Sequence, residues 1–151
     1  MAKTEEKNIT VNRKALHDYF VVQKFEAGIV LVGTEVKALR QNKANLVDSY
    51  AMIQNGEVWL NNCHIGVYEH GNIFNHEPRR RRKLLLNKRE IRKIKIKSEE
   101  KGHTLIPLRL YFKEGKVKVE LALTIGKKSY DKRESIAKKD FQRDLERKVK
   151  Y

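Results

Sequence analysis

Residues 103–126, HTLIPLRLYFKEGKVKVELALTIG, hold two runs of alternating side chains separated by Glu114-Gly115. Leu108, Leu110 and Phe112 alternate with Arg109, Tyr111 and Lys113. On the return, Val117, Val119, Leu121 and Leu123 alternate with Lys118, Glu120 and Ala122. A period of two places successive side chains on opposite faces of a strand, so this segment predicts a long antiparallel hairpin with one core face. Its other face is polar and partly cationic. A hairpin of that length must bury its apolar face against further strands or helices.

The rest of the chain supplies them. In SYAMIQNGEVWLNNCHI, Asn55-Gly56 sits between two strand-like runs and favours the hairpin turn that matches strand twist. YFVVQKFEAGIVLVG carries two β-rich runs about Ala27-Gly28, read as a turn. Asn12 caps a short helix in RKALHDYF, with Ala15, Leu16 and Tyr19 toward a core. TEVKALRQN reads as a second helix, with Thr34 as its cap and Val36, Leu39 and Arg40 on one side. Asn87 with Glu90 forms a capping box, and Leu86 with Ile91 occupies the staple positions around it. The third helix then runs toward Lys101, with Ile91 and Ile94 inward and Gly102 ending it in the left-handed conformation. IRKIKIK also reads as an alternating strand, and the cap signals favour the helix.

About six short antiparallel strands with two or three helices make the chain mainly β, an OB-fold-like six-stranded barrel with flanking helices and a basic C-terminal tail. Residues 1–11 are polar and expected to be flexible, 12–125 form the barrel domain, and 126–151 the tail. The stretch from Gly66 to Arg82 reads as a long surface loop. In the tail, Ala137, Phe141, Leu145 and Val149 are four apart. That stripe is too narrow to hold the segment on the domain, so the tail is expected to be disordered when free and helical when bound.

Charge then narrows the function. The formal net charge is +15 over 151 residues. Residues 1–76 hold 8 Lys+Arg and 8 Asp+Glu, whereas residues 77–151 hold 26 and 11, so all the excess lies in the second half. Such an imbalance points to a polyanion. No run is long and apolar enough to span a bilayer, and one cysteine, Cys63, leaves no intramolecular disulfide. Nucleic acid in the cytoplasm is therefore the expected partner, RNA ahead of DNA though composition alone does not separate them, with no membrane. The basic run Arg79–Lys83, which includes Arg82, is expected to stay on the solvent side, pinned to a rigid frame by Leu84 and Leu85. Tyr111, Tyr130 and Phe141 lie among cations and could stack on bases, Tyr111 having packing as its alternative.

Catalysis finds little support. Cys63 and His64 are strand neighbours on opposite faces, and His70 and His76 lack a second cysteine or a carboxylate pair. GKKS at 126–129 lacks the upstream glycine of a phosphate loop. No enzyme, metal site or cofactor is expected.

The segments FEAGIVLVGTEVKALRQNKANLVDSYA, RRRRKLLLNKREI and KGHTLIPLRLYFKEGKVKVELALTIGKKSYDKRE, with the basic tail after them, occur in this order over nearly the whole chain. Together they resemble the small protein B family, the bacterial tmRNA-binding (SsrA-binding) proteins. The resemblance implies an oligonucleotide-binding-type barrel that binds the tRNA-like domain of tmRNA at the elbow of its D- and T-loops. It also implies binding to the ribosome through the 16S rRNA of the small subunit, as a monomer beside one tmRNA, in the rescue of stalled ribosomes. Carried over by position, the RNA contacts fall on Asn12, Glu26, Leu85 and Lys118; Arg40, Arg82 and Lys83 are added from charge. GKKSYDKRE matches the family's decoding segment: Gly126, Lys127, Lys128, Tyr130, Asp131, Lys132 and Arg133 would act in the decoding centre, and the following helix would lie in the empty message channel. A general RNA chaperone or ribosomal protein is the rival reading.

Overall fold

In the computed structural model, the structure describes residues 5–68, 75–100 and 102–127. In chain order the elements are β1 Glu6–Val11, α1 Arg13–Asp18, β2 Tyr19–Ile29, α2 Gly33–Arg40, β3 Ala44–Asn45, β4 Tyr50–Gln54, β5 Glu57–Asn61, β6 His64–Ile65, β7 Arg82–Leu85, α3 Lys88–Ser98, β8 His103–Lys113 and β9 Lys116–Gly126. All pairings are antiparallel. The large sheet runs β1-β8-β4-β5-β7-β2-β9, and β8 also pairs with β9. That last pairing closes β8-β4-β5-β7-β2-β9 into a six-stranded barrel, held on its thinner seams by two pairs between β2 and β7 and one between β4 and β8. β1 rides on the outer end of β8, and β3 with β6 forms a separate two-stranded ribbon.

Both predicted hairpins form where their turn residues permit. Asn55 and Gly56 have φ of 54° and 75°, and Glu114 and Gly115 have 53° and 76°, the left-handed pair that a two-residue hairpin requires. On β9, Val119, Leu121 and Leu123 are fully buried in the main core, as their alternation predicts.

Four expectations change. Residues 6–11 are not loose: they pair with β8 from Glu6 opposite Lys113 to Val11 opposite Arg109, and Ile9 is buried. Ala27-Gly28 is not a turn, because β2 runs straight through it, and only the pairing partners reveal why a glycine stands there. Leu16 faces solvent, since α1 stops at Asp18 and only Ala15 reaches the protein interior. Thr34 does not cap α2; the Val32 amide donates instead to the Glu35 carboxylate at 2.9 Å.

The alternation in β8 breaks at Leu108. Register shifts between Pro107 and Arg109, so Leu108 is the extra residue of a bulge. Leu105 and Leu110 therefore both face the main core although their spacing is odd. Ile106 and Leu108 turn outward and, with Ala122 and Ala15, form a second small core beneath α1. The outer face of the hairpin is thus partly apolar, covered where α1 crosses it.

α3 is a helix with the predicted cap: the Glu90 amide donates to Asn87 Oδ1 at 2.8 Å, and the Asn87 amide to the Glu90 carboxylate at 3.3 Å. It ends at Ser98, short of Lys101, and Gly102 takes a φ of +85°. Ile94 is fully buried in the main core, with Leu86 and Ile91 packed against it. Burying one such side chain contributes about 1.5–3 kcal/mol. This one holds α3 against β8 and β9, and the Lys97 ammonium reaches the Gln23 side chain at 3.0 Å.

Candidate nucleic-acid interface

Gly28 organises the outer face of the barrel. It pairs with Leu85 of β7 on one side and with Lys118 of β9 on the other, and Lys118 pairs in turn with Tyr111 of β8. Leu85, Gly28, Lys118 and Tyr111 therefore form one row across four strands. A side chain at Gly28 would bring its Cβ to 3.3 Å from Leu85 Cβ. Glycine here lets Leu85 lie across β2, where it remains 51% exposed. Beside it opens a groove of about 420 Å³, lined by Gly28, Leu31, Val36, Leu85, Val117 and Lys118.

One row along β2, and on the same face, stands Glu26 opposite Glu120, which pairs with Arg109. Glu26 accepts from the Tyr111 hydroxyl at 2.7 Å and from the Lys113 ammonium at 3.1 Å. The Tyr111 hydroxyl chiefly, with Lys113 and nearby Lys118, holds the Glu26 carboxyl below the usual carboxylate range despite partial desolvation. Its side chain stays 40% exposed. Arg109 donates to Glu120 at 2.7 Å, to Asn8 at 2.7 Å and to Glu6 at 2.7 Å, and lies 3.9 Å over the Tyr111 ring. Tyr111 is 1% exposed, so it packs and cannot stack on a base. Burial first, and Glu26 second, push its hydroxyl pKa up, which keeps it a donor.

The structure thus brings Glu26, Leu85 and Lys118 together. Of the other expected contacts, it sets Asn12 and Arg82 apart by burial and leaves Arg40 and Lys83 at the margin of that surface. Asn12 is buried: its amide donates to Leu46 O at 3.2 Å and Pro107 O at 3.0 Å, and its carbonyl accepts from the Ala15 amide at 3.2 Å. Both amide hydrogens are occupied, so Asn12 acts inside the fold, fixing α1 to β8. Arg40 is exposed at the end of α2, one turn beyond Val36 of the groove. Lys83 points outward on β7, two residues from Leu85, and meets Glu57 at 3.3 Å.

The basic run departs most from expectation. Arg82 is fully buried, not solvent-facing. Its Nε donates to Glu35, itself fully buried, and its terminal nitrogens donate to Cys63 O at 2.8 Å and Pro78 O at 3.1 Å. Arg80 adds a second clamp on Glu35, with contacts of 2.6 and 3.1 Å. Burial would raise the Glu35 carboxyl; Arg80, the Val32 amide and Arg82 outweigh it and hold the group below its ordinary value. Arg81 lies 4.1 Å over the Trp59 ring, and Arg79 donates to Asn62 at 3.0 Å. Strand alternation explains this: Arg82 and Leu84 face in, whereas Arg81, Lys83 and Leu85 face out. Leu84 is accordingly the anchor, and Leu85 is not.

His76 is also buried, between the Thr34 hydroxyl at 2.9 Å and Ile65 O at 2.8 Å, so it is no loop histidine in water. Among the described residues no group of three or more potential ligands is placed to hold a metal. Cys63 is buried, and burial pushes its thiol up to about 11. Gly126 ends β9 opposite Tyr19, and Lys127 donates its amide to Asp18 O at 2.9 Å with its ammonium 5.0 Å from the Phe20 ring. Lys128, Tyr130, Asp131, Lys132, Arg133 and the rest of the tail, with Phe141, lie outside the described residues. So does His70.

Sequence reasoning missed one feature. Lys88, Arg89, Arg92, Lys93 and Lys95 line the exposed side of α3. The signal was present in KREIRKIKIK, where Arg89, Arg92 and Lys93 fall away from Ile91 and Ile94 at helical spacing.

The comparisons with known proteins agree with this architecture. The family model for SmpB protein matches residues 9–151. The SsrA-binding protein of Desulforudis audaxviator is 59% identical over 147 residues, covering 97% of this chain and 96% of that one. The SsrA-binding protein of Carboxydothermus hydrogenoformans is 57% identical over 145 residues, covering 96% and 97%. A solved chain described as "tmRNA-SmpB: a journey to the center of the bacterial ribosome" superposes with a TM-score of 0.69 at 48% identity, covering 92% of this chain and 94% of that one. With that profile over nearly its full length, the chain belongs to the SmpB protein family.

Proposed function

We propose that this chain is an RNA-binding adaptor of trans-translation, gripping the tRNA-like domain of tmRNA on the outer face of the barrel and carrying it to stalled ribosomes. The observation that carries this reading is the convergence of Glu26, Leu85 and Lys118 about Gly28. The elbow of a folded RNA exposes unpaired base edges, base faces, 2′-hydroxyls and phosphates together. Lys118 makes no ion pair among the described residues and is free to meet a phosphate. Leu85 offers an apolar surface to a base or sugar, while the charged Glu26 carboxylate accepts from a base edge or a 2′-hydroxyl. A carboxylate between lysines weakens non-selective attraction and so favours an RNA that satisfies it.

Residues 126–151 serve the ribosome rather than the tmRNA: the segment from Gly126 to Arg133 acts in the decoding centre, and the helix after it follows the empty message channel along 16S rRNA. The protein works as a monomer in the cytoplasm, without catalysis of its own. No helix among the described residues is long and apolar enough to cross a membrane.

Sequencing the RNA that copurifies with the full chain tests the reading. One dominant tmRNA species is expected. Bulk ribosomal RNA without tmRNA enrichment would overturn it in favour of a general RNA chaperone.

A further inference from the structure

α3 carries a second cationic surface unlike the first. Around its solvent side lie Lys88, Arg89, Arg92, Lys93 and Lys95, all exposed, with Ile96 among them at 68% exposure. None of the five side chains meets a carboxylate among the described residues, whereas Arg79, Arg80, Arg81, Arg82, Lys83 and Arg109 all have partners. Glu90, the acidic residue within the helix, is turned back onto its N-terminus by the capping box. Unpaired like charges on two successive turns repel one another, at some cost to the isolated helix. They are tolerated because the buried Ile94 holds α3 on the barrel.

Position separates the two surfaces. α3 starts three residues past Leu85, at the edge of the Gly28 row, and runs away from it. Its last turn is bound to Gln23, five residues down β2 from Gly28, a distance of about 16 Å along a strand. There α3 lies against β8 and β9, close to the pairing of His103 with Ile125 and therefore to Gly126, where the tail departs. Chemistry separates them too. The Gly28 row mixes a carboxylate, an apolar side chain and a lysine, which suits selective recognition; α3 offers cations alone, which suits phosphates of any sequence.

We propose that Arg92, Lys93 and Lys95 of α3 hold the phosphate backbone of a second RNA, distinct from the one on the Gly28 row. This rests on the adaptor reading above, which supplies ribosomal RNA as that second molecule. It assigns to the folded domain a share of ribosome affinity that the tail alone would otherwise carry.

The test is a full-length Arg92→Gln, Lys93→Gln, Lys95→Gln variant, titrated separately with tmRNA and with purified small ribosomal subunits over a range of salt. All three residues are exposed, so circular dichroism should match the parent. Subunit affinity is expected to fall about tenfold or more, with a salt dependence shallower by up to about three charges, while tmRNA affinity stays within about twofold. A charge-keeping variant, Arg92→Lys with Lys93→Arg and Lys95→Arg, is expected to bind both like the parent. Unchanged subunit binding overturns the proposal, and so does a loss that falls on tmRNA alone or equally on both RNAs. Failure of the parent chain to bind either RNA would instead sink the adaptor reading beneath it. Should the triple variant misfold, the three single substitutions, each expected to flatten the salt slope by about one charge, decide the matter.

Discussion

Replacing Glu35 with alanine is expected to destabilise the fold by about 3–5 kcal/mol, the usual cost of stranding a buried charge. For a chain of this size that is a fall in melting temperature of roughly 10 °C. Glu35 is where three parts of the chain meet. It caps α2 through the Val32 amide, anchors fully buried Arg82 of β7, and ties down Arg80 of the preceding loop. Removing it leaves the Arg82 guanidinium buried with only carbonyl partners. Arg81→Gln is the control: that side chain is exposed over Trp59, and its loss should cost no more than about 1 kcal/mol.

Acid should reveal the same residue. Glu35, Glu120 and Glu26 all sit below the ordinary carboxylate value of 4.5 in the folded chain. Their contribution is therefore complete above pH 4.5 and lost as the pH falls through their lower folded values. Urea midpoints are expected to be flat from neutral pH to about 5 and to fall below that. The Glu35→Ala variant, lacking the most buried of the three, should lose less on acidification than the parent.

Deleting residues 131–151 is expected to leave tmRNA affinity within about twofold yet abolish tagging of stalled peptides, since RNA contacts on separate surfaces contribute separately. The fold is closed before that point: Gly126 pairs with Tyr19, and the Lys127 amide bonds Asp18 O. Glu26, Leu85 and Lys118 all stand within strands that need nothing from the tail. Affinity by gel shift and tagging on a message without a stop codon separate the two roles. A collapse of affinity would show that barrel and tail are not divided in this way.

Much of this was legible in the residues. Both hairpin turns and the α3 cap follow from local signals, because each needs only a few neighbours. What escaped reading depended on distant partners. Gly28 looks like punctuation until Leu85 and Lys118 are seen on either side of it. RRRRK looks like a solvated charge run, yet its alternation with Leu84 buries Arg82, and its partner Glu35 lies 47 positions away. Residues 6–11 are polar at the surface of β1, and their strand character comes from β8. Leu108 shares the parity of Leu110, and the bulge that sends it to the opposite face is marked locally only by Pro107 before it, which cannot donate to the ladder. Of the candidate site, the three residues on the outer face were legible only through family resemblance, since a lone Glu, Leu or Lys in a strand carries no signal.

The central claim is that the row through Gly28 is the grip on tmRNA. Its most direct test is the affinity of the full chain for the tRNA-like domain after Leu85→Asp and, separately, Lys118→Glu, both outward-facing changes that leave the core intact. Each is expected to weaken binding about tenfold or more, the scale of one lost phosphate or apolar contact with a repulsive charge in its place. Two folded variants that bind as tightly as the parent would contradict it.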